Sequence, residues 1–188
     1  MADEPGNTPK GNGEGAAAGG GGSAPAAPSI NVLLQYVKDL SFENPGAPQA
    51  LIPQKSPPKI EIGVNVDATT LGSDNFEVEI GINANGTAQA EGESEGSTPP
   101  AVFAVELRYA GVFRIQNVPQ ESLHAVVLIE CPRILFPFAR QVIADATRNG
   151  GFPPLMIDPI DFAALYRQRL ERAAAAQESA KSKEQADG

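Results

Sequence analysis

Three segments of the chain alternate apolar and polar residues, and this alternation limits the possible folds more than any other feature. The segments cover residues 59–67, 75–83 and 101–109, and after Gly111 residues 112–115 continue the third one. Successive side chains of a β-strand point to opposite faces, so each segment predicts a strand with one apolar and one polar face. Such strands are typical of an antiparallel sheet that is covered on one side only. We expect Gly111 to break the last strand.

The segment before these strands has two interpretations. Apolar residues between 30 and 40 follow helical spacing, whereas residues 36–42 alternate. Pro45, Gly46 and Pro48 end either element. We predict an extended stretch over residues 36–42.

After Pro119 the pattern becomes helical. Periodicity leaves residues 123–130 open between helix and strand. Pro132 can occupy the first position of a helix whose apolar stripe reaches Ala146, and residues 149–151 (Asn-Gly-Gly) provide its end.

A last helix is predicted to begin at Asp158. Asp158 would be its N-cap, Pro159 its first residue, and Asp161 would lie near the positive end of the helix dipole. Its apolar stripe consists of Phe162, Leu165, Tyr166 and Leu170. Strands followed by helices indicate an α+β fold with the helices packed on one face of the sheet.

Both ends of the chain differ from this core. Residues 1–28 contain 8 Gly, 7 Ala and 4 Pro, which cannot bury enough apolar surface to offset the entropy of ordering, so we predict a disordered tail. This tail lacks the features of a signal peptide, and we expect a cytoplasmic protein. Residues 176–188 predict a second disordered tail. The folded domain would span residues 29–175.

The composition excludes several classes of function. The chain has 14 Lys and Arg against 23 Asp and Glu, a net charge of -9, which disfavours duplex nucleic acid as a partner. One Cys and one His support neither a disulfide framework nor a protein-only zinc site. No P-loop is present, and no apolar run is long enough to span a membrane. We therefore expect no metal and no cofactor.

Two pairs of residues could suggest catalysis. Cys131 and His124 lie two helical turns apart, and we interpret them as a buried thiol and a surface or interface histidine. Glu77 and Glu79 share a strand face at a spacing that could suggest a hydrolytic carboxylate pair. Since nothing around them indicates a general acid, we interpret that face as a solvated acidic surface. A small hydrolase and a passive scaffold remain as alternatives to a binding module.

Two runs of sequence resemble the SecB family of bacterial protein-export chaperones. The first is NVLLQYVKDLSFENPGAP, and the second, more specific one is ECPRILFPFARQVIADATRNGGFPPLMIDPIDFAALY. FEVEI and ELRYAGVFRI between them also fit, so the resemblance covers residues 30–170.

The resemblance implies a fold and a function. The fold is a four-stranded antiparallel sheet with helices packed on one face, assembled as a homotetramer that is a dimer of dimers. The function is that of a cytoplasmic chaperone, which holds unfolded precursor proteins and delivers them to the SecA motor of the translocase. It implies no enzymatic activity, no nucleotide and no metal. A SecB-like chaperone dedicated to a toxin–antitoxin pair is the alternative.

The resemblance also implies two surfaces. SecA would dock on an acidic patch at Asp39, Glu43, Ala104 and Glu106, where Ala104 replaces a larger apolar residue. Unfolded clients would occupy an apolar groove, because a sequence-tolerant binder needs many small apolar contacts. For the groove walls we predict Phe42, Phe103, Phe113 and Leu155.

Overall fold

The computed structural model describes residues 27–52, 56–89 and 100–186, with side chains described as far as residue 178. The sheet consists of β1 (Ser29–Glu43), β2 (Lys59–Thr70), β3 (Asn75–Thr87) and β4 (Ala101–Gln116). The helices are α1 (Gln120–Ala125), α2 (Cys131–Asn149) and α3 (Phe162–Ala186), with a π-helical turn at Val126–Glu130 and a short 3-10 turn at Gln49–Leu51. All strand pairs are antiparallel, in the order β1-β4-β3-β2.

The predicted α+β architecture is confirmed. The apolar faces of β3 and β4 form the core together with α2, which packs over these two central strands. Buried strand residues include Phe76, Val78, Ile80, Ile82, Val105 and Leu107, and buried helix residues include Leu135, Ala139 and Ile143. The alternation read from the sequence thus gives the correct buried face of both strands.

The edge strand β2 is less well covered than its alternation suggests. Val64 and Val66 pack against the core, but Ile60 and Ile62 are 39% and 42% exposed. The helices contact β4 and β3 most closely, so the beginning of β2 extends beyond their cover.

The other edge strand, β1, is longer than predicted. It starts at Ser29, so the helical interpretation of residues 30–40 is wrong and the predicted stretch over residues 36–42 is only its second half. β1 pairs with β4 along its whole length, with register shifts between Val32 and Leu34 and between Val37 and Asp39. Each shift changes which residues share a face, and this obscures the alternation in the sequence.

Gly111 does not break β4, which runs uninterrupted to Gln116. A Cβ atom at this position would lie 2.7 Å from Cδ2 of Leu135 on α2. The glycine therefore lets the helix approach the strand closely. A glycine within a strand can serve such a close approach instead of ending the strand.

Residues 123–130, which periodicity left open between helix and strand, are helical. Pro132 lies within this helix and does not begin a new one. One continuous helix spans Gln120–Asn149, with the π-helical turn Val126–Glu130 just before Pro132. Because proline lacks an N–H and its ring crowds the preceding turn, the wider π turn accommodates it within the helix. By length and hydropathy alone this helix could cross a membrane, but here its apolar stripe packs against the sheet.

The end of α2 is as predicted. Asn149 is its last residue, and Gly151 adopts a φ of 91°, the left-handed conformation that favours glycine. Gly150 lies directly against a ring from β1, because a Cβ atom at this position would overlap Cζ of Phe42. The loop after α2 is therefore packed tightly onto the end of β1.

The start and end of α3 differ from the prediction. The helix begins at Phe162, and the Asp161 carboxylate accepts a hydrogen bond from the Ala164 N–H at 3.0 Å, so Asp161 takes the capping role expected of Asp158. At the other end the helix continues to Ala186, through most of the predicted C-terminal tail. The predicted tail over residues 1–28 lies outside the described residues, apart from residues 27 and 28.

Candidate functional site

The four predicted docking residues lie together on the face of the sheet opposite the helices, which we call the open face. Glu43 on β1 is directly opposite Ala104 on β4, and Ser41 is opposite Glu106. Asp39 is opposite Arg108, one step further along the same face. Asp39, Glu43 and Glu106 are exposed and Ala104 is half-buried. The strand register therefore assembles residues that are far apart in sequence into one patch.

This patch carries negative charge without ion pairs in the part of the chain that the structure describes. Elsewhere, Glu61 on the open face pairs with Lys59 at 2.8 Å, and Asp67 on the edge strand β2 pairs with Arg169 of α3 at 3.5 Å. No such pair is formed by Asp39, Glu43 or Glu106 among the described residues. The three carboxylates are free to attract a basic partner.

Beside the patch lies a polar network of Tyr36, Lys38, Glu77, Glu79 and Arg108. Tyr36 donates a hydrogen bond to the Glu77 carboxylate, and Lys38 Nζ lies 3.1 Å from oxygens of both glutamates. Arg108 binds Glu79 with two nitrogens, at 2.5 and 3.0 Å. The sequence indicated only the two glutamates, because contacts between strands depend on a register that the sequence does not reveal.

The network reaches across a strand. Tyr36 on β1 and Glu79 on β3 both flank Ala110 on β4, whose methyl group is fully buried beneath them. A small residue at this position leaves room above β4 for side chains from the two neighbouring strands to meet. The network thus ties the edge strand β1 to β3, with which it shares no backbone pairing.

The network keeps both glutamates ionised. Hydrogen bonds from Tyr36 and Lys38 lower the pKa of Glu77. For Glu79, burial alone would raise the pKa, but the hydrogen bonds from Arg108 and Lys38 outweigh it and the pKa falls. The same contacts raise the pKa of Tyr36 through its bond to Glu77 and that of Arg108 through its bonds to Glu79.

This arrangement corrects the interpretation of Glu77 and Glu79 as a freely solvated surface. Glu79 is only 8% exposed, and cations cover both carboxylates. A hydrolase would need one of them protonated as a general acid, which requires a raised pKa. The lowered pKa of each argues against a hydrolytic pair.

Cys131 and His124 do not form a pair. Cys131 is fully buried, and desolvation raises the pKa of its thiol to about 12, so it is protonated at neutral pH. His124 Nδ1 instead lies 2.9 Å from the hydroxyl of Tyr166 on α3. The interpretation of Cys131 as a buried thiol is confirmed.

Three aromatic rings form a cluster where β1 and β4 meet the loop after α2. The ring centroids of Phe42 and Phe103 are 6.2 Å apart, and Phe152 lies 6.5 and 5.1 Å from them. Phe42 and Phe152 are half-buried, whereas Phe103 is almost covered. Phe152 is not among the predicted groove residues, because its position depends on how the loop folds back onto the sheet.

The other two predicted groove residues lie elsewhere. Phe113 is 0% exposed, opposite Phe76 in the central core, so it cannot line an accessible groove. The prediction for Phe113 depends on residue type alone. Its side chain lies on the face of β4 that the helices cover. Leu155 is half-buried and packs against the core, and its N–H donates to the Thr147 hydroxyl at 2.9 Å.

Apolar side chains remain exposed beside the aromatic cluster. Leu51 and Ile52 are 42% and 60% exposed, and Leu51 lies against Gly151. On β1 the exposed apolar residues are Val32, Leu33, Leu34, Val37 and Leu40. Single exposed apolar residues are ordinary, but several of them on one edge strand are typical of an interaction surface.

Two cavities of about 280 Å³ each lie between the strand β2 and the helices. Both are lined by Leu128 of the π-helical turn and by Arg169 of α3. Arg169 spans the gap, because one guanidinium nitrogen donates to the Val66 carbonyl at 2.5 Å. Within the described ranges, no group of three or more potential metal ligands occurs.

Comparison with known proteins shows which family this chain resembles. Residues 23–173 match the family described as Preprotein translocase subunit SecB. The chain is 60% identical over 151 residues to the protein-export protein SecB of Rhodopseudomonas palustris, which covers 80% of this chain and 89% of the relative. It is 59% identical over 153 residues to that of Xanthobacter autotrophicus, with 81% and 92% coverage.

One solved structure has a similar fold. It is a SecB-like chaperone of Mycobacterium tuberculosis in complex with a ChAD peptide from an antitoxin, with a TM-score of 0.52 and 19% identity. The match covers 70% of this chain and 90% of that one. At this identity the likeness extends to the fold alone.

Proposed function

Because the chain belongs to the SecB family, we propose that it is a cytoplasmic chaperone that holds unfolded precursor proteins and delivers them to the SecA motor. The observation that carries the proposal is the identity of 56–60% with relatives named protein-export protein SecB, over at least 80% of the chain. The family is one of chaperones, and the lowered pKa values of Glu77 and Glu79 add no support for an enzyme.

The proposed client site is the aromatic cluster with its apolar surroundings. Phe42 and Phe152 present partly exposed rings, and Leu51 and Ile52 extend this surface on one side. Burying apolar surface yields about 25 cal/mol per Å2 without regard to sequence, so such a site can hold many different unfolded segments. Leu155 remains a candidate wall, whereas the buried Phe113 lies near the other end of β4 and is not part of the site.

The proposed docking site for SecA is the acidic patch of Asp39, Glu43, Ala104 and Glu106. Its support is the geometry: the register gathers the four residues, and the carboxylates lack ion pairs among the described residues. Complementary charge acts mainly on the rate of association, so docking should weaken as salt rises. The client site lies beside α2 and the docking site on the open face, so one protomer can engage both partners.

We further propose a homotetramer built as a dimer of dimers. The exposed apolar row on the edge strand β1 and the exposed Ile134 and Phe138 on α2 support it. Both sets are apolar surfaces that a second copy would cover.

The dedicated toxin–antitoxin chaperone is the rival function. The Mycobacterium tuberculosis structure is similar in fold but only 19% identical, and it does not favour this rival for the present chain. The three acids at the docking site are more simply explained by a basic partner such as SecA.

A paired binding experiment tests the proposal. Purified protein would be mixed with a slow-folding precursor, in its unfolded and folded forms, and separately with SecA. The same measurements would use the double variant Asp39→Ala/Glu106→Ala. We expect wild type to bind the unfolded form alone and to bind SecA, and the variant to keep the client and lose SecA.

Two results would contradict the proposal in different ways. Failure to bind unfolded chains would refute the chaperone function itself. Binding of clients without any binding of SecA by the wild type would favour the dedicated chaperone, which co-purification with a toxin would then support.

A further inference from the structure

We propose that Glu77 and Glu79 are positioning residues that keep the docking residue Asp39 free of cations. They do so by holding the two nearest cations, Lys38 and Arg108, in ion pairs on β3. The inference rests on the proposed docking of a basic partner at the open face. It assigns a role to two acids that the docking patch itself does not include.

Arg108 is the first cation that the network restrains. It lies directly opposite Asp39 in the pairing of β1 with β4, where side chains of an antiparallel pair are close enough to bind. Among the described residues, however, its ion pair is with Glu79, through two nitrogens at 2.5 and 3.0 Å. A bidentate pair fixes the guanidinium more firmly than a single contact would. Arg108 is thereby turned away from β1 and towards β3.

Lys38 is the second cation. The register shift between Val37 and Asp39 leaves Lys38 without an opposite residue on β4, as in a β-bulge. Its ammonium group lies 3.1 Å from both Glu77 and Glu79 on the open face. A cation adjacent in sequence to Asp39 is therefore also held by the two glutamates of β3.

Without the two glutamates, these cations would neutralise the docking patch. Opposite charges on neighbouring strands attract, and Asp39 is the carboxylate that lies directly opposite Arg108. A basic partner would then have to displace Arg108 before it could bind Asp39. The network therefore leaves Asp39 able to attract a basic partner, although the network itself contains the cations Lys38 and Arg108.

Association with SecA provides the test, measured as rate and affinity at low and high salt. Glu79→Gln should weaken docking about threefold to fivefold, close to the effect of Asp39→Asn. Adding Arg108→Gln to Glu79→Gln should restore docking, because the released cation is then absent. The matched controls are Glu61→Gln and Glu61→Gln/Lys59→Gln, which make the same charge changes in an exposed pair on the same face.

The controls separate a local effect from one of net charge or stability. We expect Glu61→Gln to change docking less than twofold, and client binding to be unchanged in all variants. If Glu79→Gln weakens docking and Arg108→Gln does not reverse the loss, the inference is wrong. It is also wrong if Glu61→Gln weakens docking as much as Glu79→Gln does. If wild type does not bind SecA, the proposed function fails instead.

If Glu79→Gln does not fold, the single variant Arg108→Gln still tests the inference. Arg108→Gln alone should raise the affinity for SecA less than twofold, as Lys59→Gln should, because Arg108 does not pair with Asp39 in the native protein. A large rise would mean that Arg108 already masks Asp39, and it would overturn the inference.

Discussion

Tyr36 on β1 donates a hydrogen bond to the Glu77 carboxylate on β3, although β4 lies between the two strands. The bond is part of a network that joins an edge strand to the centre of the sheet. Its position suggests that it stabilises the exposed strand carrying the proposed docking residues.

Replacing this tyrosine should loosen β1. Tyr36→Phe removes one hydrogen bond to a charged acceptor, and we expect the free energy of unfolding to fall by about 1 to 2 kcal/mol, measured by urea denaturation. Tyr109→Phe makes the same chemical change at a residue whose hydroxyl forms no hydrogen bond among the described residues. It should therefore lower the free energy of unfolding by less than Tyr36→Phe does. Equal losses in the two variants would show that the bond contributes little.

The network should also make stability depend on pH. The pKa of Glu79 is lower in the folded protein than its ordinary value of 4.5, so its ionised form stabilises the fold above that pH. This stability should be lost as the pH falls from about 5 through the lowered pKa, because over that range the unfolded chain takes up a proton more readily than the folded protein does. Denaturation at pH 6 and pH 3.5 should therefore show a smaller pH effect in Glu79→Gln than in wild type. Glu61→Gln should behave like wild type, because water screens the exposed pair of Glu61 with Lys59.

Phe113 should matter for stability and not for client selection. Its ring is fully buried in the core between the sheet and the helices, so Phe113→Ala should lower the free energy of unfolding by about 3 to 5 kcal/mol. Chemical denaturation measures this loss. A stable variant that binds clients poorly would instead return Phe113 to the client site.

Phe42 should show the opposite behaviour. Because its ring is half-buried in the aromatic cluster, Phe42→Ala should weaken binding of an unfolded precursor about fivefold to thirtyfold. Its effect on unfolding should be smaller than that of Phe113→Ala. Leu71→Ala is the comparison, because Leu71 is 55% exposed at the turn between β2 and β3, outside the cluster. A similar loss of affinity in both variants would argue against a localised client site.

Cys131 should be inert in the folded protein. Its thiol is fully buried and protonated, with a pKa of about 12, whereas only the thiolate reacts readily. We expect no labelling by a thiol reagent at pH 8 until denaturant is added, followed by rapid labelling. Fast reaction of the native protein would show that the helix around Cys131 opens.

The sequence predicted the central strands better than the edge strands, for a physical reason. β3 and β4 are covered by helices on one face, so their alternation mirrors their burial. β1 is an exposed edge with two register shifts, and its apolar residues lie on both faces. Its pattern therefore resembled a helix over residues 30–40.

The two proposed surfaces were predictable to different degrees. The resemblance supplied Asp39, Glu43, Ala104 and Glu106, and the register then shows them as one patch. The polar network was beyond the sequence, because Tyr36, Lys38 and Arg108 acquire their roles only when three strands are aligned. For the same reason Phe113 was misassigned: an aromatic residue on a strand gives no sign of whether a helix covers it.

Gly150 has a consequence for how this protein can vary. The nearest ring atom of Phe42 occupies the space that any side chain at position 150 would need. A substitution there must either push the ring out or lift the loop from the sheet, so a change at the end of a core helix would also reshape the proposed client surface. We therefore expect the effects of substitutions at the two positions to depend on each other, although more than a hundred residues separate them in the chain.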